Sequence, residues 1–416
     1  MKIRFLIVAL MALVACLRAE ETSFALRDGD TLAFLGDSIT AARGYTKIVE
    51  QYTLMRFPDR RVRFVNAGQG GDTAHGSLRR LERDVFAQGT TVLTVAFGIN
   101  DIGWGTKADD LHRQQYLDGI REIVTRSRKR GIRVFICSPA ITAEAPDTAE
   151  VGYLQRMVDE GMTLARSLGS ESIDLSRGMR EIQRRIVAAN AREKDPTRHT
   201  RLHVDDGVHL NDLGQLAMGH ALLKGLGAPA EVSSVTVDAA ALRTLAADNC
   251  RVSGLERMAD GLRFRRLDRG LPLNLGIFSA LNHRWIPIPD TLNGYRLRVT
   301  GLAPGEYEVR AEGRLLGTYS AERLARGENV ASATSNGWEP GGPWDAQSDA
   351  VRELVDARDK AWGGVHFRRQ FNGDNPASRK LVRQAKAADE ALVALARATA
   401  KPYPYLFEIR RLGPVQ

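Results

Sequence analysis

Residues 34–40 read FLGDSIT, the end of an apolar run, TLAFLG (31–36), that turns polar at Asp37 and Ser38. An apolar run of this length suits a strand covered on both faces. The next stretch, TAARGYTKIVEQYTLMRF, has helical character. Gly36, two residues before the serine, permits a tight turn, and Ser38 then stands at the mouth of the helix with its backbone N–H directed into a cleft. Thr40 occupies the last position of the G-x-S-x-G pattern, so the elbow of the α/β-hydrolases is not matched.

Working outward, the same alternation repeats from 30 to 225. Strand-like runs lie at 61–68 (RVRFVNAG), 91–98 (TVLTVAFG), 133–140 (RVFICSPA) and, more weakly, 171–176 (ESIDLS). Between them YLDGIREIVTRSRKRG and YLQRMVDEGMTLARSLG carry apolar residues at three-to-four spacing and end on glycine, as helices do. Strands alternating with helices imply βαβ units and a parallel sheet, with any ligand site beyond the carboxyl ends of the strands.

The chain has 416 residues, 43% hydrophobic and 26% charged, which suits a soluble protein of two domains. The formal charge of +9 is scattered, as in TRSRKRGIR, and fits a solvated surface better than a nucleic-acid stripe. MKIR followed by FLIVALMALVACL reads as a signal peptide over 1–19, with Glu20 first after cleavage. The run LVAC also fits a lipobox, which would put a lipid anchor on Cys16. The expected location is therefore periplasmic or extracellular, free or membrane-anchored, with no transmembrane span. Cys137 and Cys250 remain, and two buried free thiols are expected rather than a disulfide. No cysteine and histidine cluster has zinc spacing.

Each of the first three strands ends in a distinctive way. The second ends in NAGQGGDT (66–73), where the glycines allow close backbone approach, Gly71 can offer its N–H, and Asp72 or Thr73 can cap the next helix. A dinucleotide fingerprint fails here, because Thr73 stands where its third glycine belongs and the motif does not come after the first strand. The third ends in GIND (98–101), where Asn100 can present its amide and Asp37 and Asp101 brace turns. Far along the chain HVDDGVHLN (203–211) supplies a base and an acid. Histidine titrates near neutrality and needs a carboxylate to hold its tautomer, and Asp206 can meet His209 across a short loop. A metal held by His203, Asp206 and His209 is a competing reading without support elsewhere. His75 reads as a surface residue.

These four motifs resemble the SGNH, or GDSL, hydrolase family: GDSIT with Ser38, NAGQGGDT with Gly71, GINDIG with Asn100 and DDGVH with His209, in order between about 30 and 225. The resemblance implies a flavodoxin-like α/β/α sandwich of about five parallel strands. It also implies catalytic Ser38, Asp206 and His209, with Asp205 as the fallback acid, and an oxyanion hole from Ser38, Gly71 and Asn100. No cofactor and no metal are expected for that chemistry. The catalytic domain is expected over 20–228.

Beyond it, 229–416 has no βα alternation. YRLRVTGLAPGEYEVRAEGRLLGTYS (295–320) alternates apolar and polar residues and reads as an exposed antiparallel meander. Helices are expected near 346–362 and 376–399, and a last strand at YPYLFEIRRL. This is a small β-sandwich-like module with a helical hairpin. Trp104, four residues after Asn100, is a candidate contact for a sugar or else a packing residue; the module's loops and hairpin are expected to pack on the catalytic domain, with carbohydrate binding through Trp338 or Trp344 as the alternative. Export with an appended module favours removal of O-acetyl groups from a polysaccharide. A lipase, lysophospholipase or arylesterase is the alternative within the family, and a glycan-binding protein with a vestigial hydrolase domain is the alternative outside it.

Overall fold

The computed structural model describes residues 24–276, 279–334, 338–339 and 341–413. The expected signal peptide and the lipidation site at Cys16 lie outside the described residues. The chain divides into two compact units, one of 1–45 and 61–229, the other of 46–60 and 230–416. The boundary expected near 228 thus lies beside one break, and residues 46–60 group with the second unit.

The first unit holds five parallel strands: β1 (Thr31–Gly36), β2 (Arg63–Gly68), β3 (Val92–Ala96), β4 (Arg133–Cys137) and β5 (Glu171–Ile173), in the order β2-β1-β3-β4-β5. The order reverses at β1, so the ends of β2, β1 and β3 lie side by side, with Gly36 level with both Gly68 and Ala96. This is the crevice in which open α/β sheets bind ligands. On one face Ala33, Leu35, Leu93, Val95, Val134 and Ile136 are buried against helix α3 (Asp110–Arg128) and helix α4 (Tyr153–Ser167). The alternate residues face the other way: Phe34 stacks on Phe64 and meets the edge of Tyr45. Helices α5 (Leu175–Asn190) and α6 (Asp212–Gly225) pack against each other, and α6 meets β5 where Gly225 approaches Ile173. The architecture is the flavodoxin-like three-layer sandwich.

The helical stretch expected after β1 is broken. Helix α1 (Ser38–Ala41) is short, Arg43 turns left-handed at φ 66°, and helix α2 (Gly44–Arg56) begins anew. Gln215 Oε1 accepts the Tyr45 N–H at 2.9 Å at this restart.

In the second unit two sheets enclose one core. One runs β13 (Glu328–Asn329), β10 (Gly294–Thr300), β6 (Glu231–Asp238), β7 (Arg243–Asp248). The other runs β12 (Arg314–Ser320), β11 (Glu306–Ala311), β14 (Tyr405–Arg411), β9 (Gly261–Asp268), β8 (Cys250–Met258). The meander expected over 295–320 is therefore corrected: β10 pairs in parallel with β6 in one sheet, and only β11 and β12 form an antiparallel hairpin in the other. Its apolar residues, Leu297, Val299, Tyr307 and Val309 among them, are buried. The helical hairpin is longer than expected, with helix α7 (Pro343–Asn372) and helix α8 (Pro376–Ala400). Trp344 is fully buried, donates from Nε1 to Ala331 O at 2.7 Å and stacks on Phe407, which removes it as a sugar contact. Trp338 is exposed.

Candidate active site

All the residues of the four motifs fall in the first unit. Ser38 opens helix α1, whose cap is Asp37: its Oδ1 accepts the Ile39 N–H at 2.9 Å. The glycines let the ends of β1 and β2 close on this turn. A Cβ at Gly68 would lie 2.3 Å from the backbone nitrogen of Ala41, so any side chain there would push the serine turn away. Asn66 Nδ2 donates to Thr40 O at 2.7 Å, and Thr40 Oγ1 meets Tyr45 Oη at 2.9 Å.

Ser38 Oγ lies 2.9 Å from His209 Nε2. His209 Nδ1 lies 2.6 Å from Asp206 Oδ2, while Asp206 Oδ1 accepts the backbone N–H of Val208 and of His209, both at 2.8 Å. The His209 side chain and these amides hold the Asp206 carboxyl down at about 2, so it is ionised and accepts only. Nδ1 therefore carries the hydrogen in the neutral ring, and Nε2 is left bare to accept from Ser38. Asp205, the fallback acid, is fully exposed and sits 3.7 Å from Arg201. His203 turns its Nε2 to Ile141 O at 2.8 Å and is buried, which takes it out of the metal reading. Among the described residues no group of histidine, cysteine and acid is placed to hold an ion.

Gly71 is exposed and left-handed at φ 70°. Asn100 Nδ2 donates to Asp72 O at 3.1 Å, and its Oδ1 accepts the Trp104 Nε1–H at 2.9 Å. The Trp104 ring also stands edge-on to His209, 5.6 Å between centroids. Asp101 Oδ1 accepts the Ala74 N–H at 2.9 Å and so ties the ends of β2 and β3 together. Burial pushes the Asp101 carboxyl up to about 7 and that of Asp37 up to about 6. Thr73 Oγ1 accepts the Gly76 N–H at 2.9 Å, and His75 is exposed. Cys137 and Cys250 are both buried free thiols.

Two arginines escape a reading of the sequence. Arg80 is buried, with Nε 2.6 Å from Asp72 Oδ2, Nη1 on Ala67 O and Nη2 on Gly36 O. It fastens the ends of β1 and β2 and the Asp72 loop at once. Arg180 donates to Thr142 O and Glu144 O, both at 2.9 Å, in the loop whose Ala143 N–H donates to Gly207 O. Nothing in the local pattern distinguishes either from a surface arginine on a helix.

Residues 34–217 match the GDSL-like lipase/acylhydrolase family, and this part of the chain belongs to that family. It is a carboxylic ester hydrolase of the SGNH type. An acetylxylan esterase of Geobacillus stearothermophilus is 21% identical over 224 residues, which cover 48% of this chain and 94% of that protein. The uncharacterized lipoprotein YqeF of Bacillus subtilis (strain 168) is 30% identical over 121 residues, 27% of this chain and 49% of that protein. A solved structure of BT4096, described as a gut microbial diltiazem-metabolizing enzyme, has the same fold over 94% of this chain and 100% of its own, with a TM-score of 0.80 and 22% identity.

Proposed function

We propose that Ser38 is the nucleophile, His209 its base and Asp206 the acid that orients the base, and that the substrate is an O-acetyl ester on a polysaccharide or oligosaccharide. The observation that carries the reading is the chain of two hydrogen bonds from Ser38 Oγ through His209 to Asp206, at 2.9 and 2.6 Å. In this mechanism Nε2 takes the serine proton as Oγ attacks the ester carbonyl. The oxyanion is met by the backbone N–H groups of Ser38 and Gly71 and by the hydrogen of Asn100 Nδ2 not used on Asp72. One such donor is worth about 100- to 1000-fold in kcat. His209 then protonates the leaving alcohol, and water attacks the acetyl-enzyme with His209 again as base. None of these steps asks for a metal or organic cofactor.

The acetyl assignment draws on the relation to an acetylxylan esterase over nearly the whole of that protein. The exposed half of the Trp104 ring, beside His209, supplies a surface on which a sugar could stack. Export draws on the N-terminal apolar run and on the lipoprotein relative. The mass of the mature N-terminus distinguishes cleavage before Glu20 from lipid on Cys16.

The test is hydrolysis of p-nitrophenyl acetate, butyrate and octanoate, and release of acetate from acetylated xylan, by wild type and Ser38→Ala. Activity that falls with acyl length and disappears in the variant is expected. Preference for octanoate would replace the acetyl reading with a lipid one. Equal activity of Ser38→Ala would remove Ser38 as nucleophile.

A further inference from the structure

The chain around Trp104 is wound the unfavourable way. Gly103, Trp104 and Gly105 all have positive φ, at 52°, 58° and 94°. Glycine tolerates this, but the β-carbon of a tryptophan makes the left-handed conformation unfavourable. The turn is nevertheless fixed: Trp104 N–H donates to Ile99 O and Gly105 N–H to Ile102 O, at 3.0 and 2.9 Å. Its result is unusual for so large an apolar side chain. Trp104 stays 50% exposed, with its one polar atom on Asn100 Oδ1.

That contact matters because of what the two partners of Asn100 can do. An indole N–H only donates, and the Asp72 carbonyl only accepts. With Oδ1 toward the first and Nδ2 toward the second, both bonds form. Rotating the amide by half a turn would set N–H against N–H and oxygen against oxygen. The side chain is therefore held in one of its two orientations, the one that leaves an Nδ2 hydrogen for the site.

We propose that Trp104 is a positioning residue for the oxyanion hole, whose indole N–H fixes the orientation of the Asn100 amide. This rests on the role proposed above for Asn100. It also accounts for the left-handed turn, which brings the indole back over the residue four positions earlier.

The test is a double-variant cycle in the full chain with p-nitrophenyl acetate and acetylated xylan, comparing wild type, Trp104→Phe, Asn100→Ala and the pair. Loss of Asn100 removes a donor outright and lowers kcat about 100- to 1000-fold. Loss of the indole N–H only frees the amide to turn, so Trp104→Phe lowers kcat by roughly 5- to 30-fold on both substrates, a fraction of that effect. KM stays within about twofold, and in the Asn100→Ala background the second change does almost nothing. A benzothiophene analogue of tryptophan at 104, which keeps the ring size and lacks the N–H, gives the same result if phenylalanine disturbs the turn. Wild-type kcat in both 104 variants overturns the proposal while leaving Asn100 in place. So does an equal loss in both backgrounds, or a rise in KM on xylan with kcat unchanged in both 104 variants, which would leave Trp104 a sugar platform only. Unchanged kcat in Asn100→Ala overturns the oxyanion role of Asn100 and this proposal with it.

Discussion

Asp101→Asn should change how stability depends on pH. The Asp101 carboxyl is buried; Oδ1 accepts from Ala74, and Oδ2 has no hydrogen-bond partner. Burial raises it from an ordinary 3.8 to about 7. The folded state therefore holds a proton that the unfolded chain releases from about pH 4 upward, so stability falls between about pH 4 and pH 7 and is level beyond. The gap from 3.8 to about 7, at 1.36 kcal/mol per pH unit, gives a loss on the order of 4 kcal/mol for complete ionisation. Asparagine keeps an acceptor for the Ala74 N–H and cannot ionise. Whatever fixed cost its NH₂ group carries is the same at every pH, so the informative quantity is the variant-minus-wild-type stability as a function of pH. Urea titrations at pH 4.5, 6, 7.5 and 9, tracking the transition of the first unit, should show that difference rising by about 3–4 kcal/mol in favour of Asn. Asp37, also raised by burial, to about 6, contributes a slope to both proteins that differs only by its repulsion from the Asp101 charge, a smaller cause of the Asp101 shift than burial. A difference that stays flat across this range would refute the reasoning.

Asp206→Asn should lower kcat by roughly 10⁴-fold by reversing the His209 tautomer, while Asp205→Asn, at an exposed ion pair, should leave ester hydrolysis unchanged in the same assay. Arg80→Met leaves the buried Asp72 carboxylate with only the exposed Arg79 at 3.8 Å as a countercharge and should cost about 3 kcal/mol in denaturant unfolding. Trp344→Ala empties a buried aromatic site and should cost about 3–5 kcal/mol in the second unit, whereas Trp338→Ala at the surface should shift stability by less than about 0.5 kcal/mol.

The strands of the first unit are legible because a sheet covered on both faces needs uninterrupted apolar runs, and TLAFLG, TVLTVAFG and RVFICSPA have few other uses. The residues that meet at the crevice are legible because each comes just after a strand or lies in a short loop, where polar residues and glycines stand out. The second unit is harder to read. Alternation tells which face of 295–300 is buried but not its partner, and β10 pairs in parallel with β6 rather than continuing into β11. Trp344 lies in the first turn of α7, just after a stretch rich in glycine and proline that reads as an exposed loop, and the remote Tyr295, Tyr405 and Phe407 pack around it. Arg80 and Arg180 act through carbonyls far away in sequence, and carbonyls leave no mark on composition. The break at Arg43 is easy to miss because Ala41 and Ala42 favour helix and a single glycine, Gly44, is tolerated inside one, while Gln215, which receives the restarted turn, lies far along the chain.

The grouping of residues 46–60 with the second unit has a consequence for how this protein is made. Leu54 and Met55 belong to the core enclosed by the two sheets, and Met55 O receives the Leu271 N–H at 2.8 Å. These residues leave the ribosome early, but the partners that cover them emerge only after Ala230. Until then an apolar segment waits uncovered, open to chaperones, proteases and its own kind. A gene shortened at 229 would make that exposure permanent. The hydrolase part of this chain is therefore no cassette to be cut out and moved; its translation must run to the end before its beginning is finished.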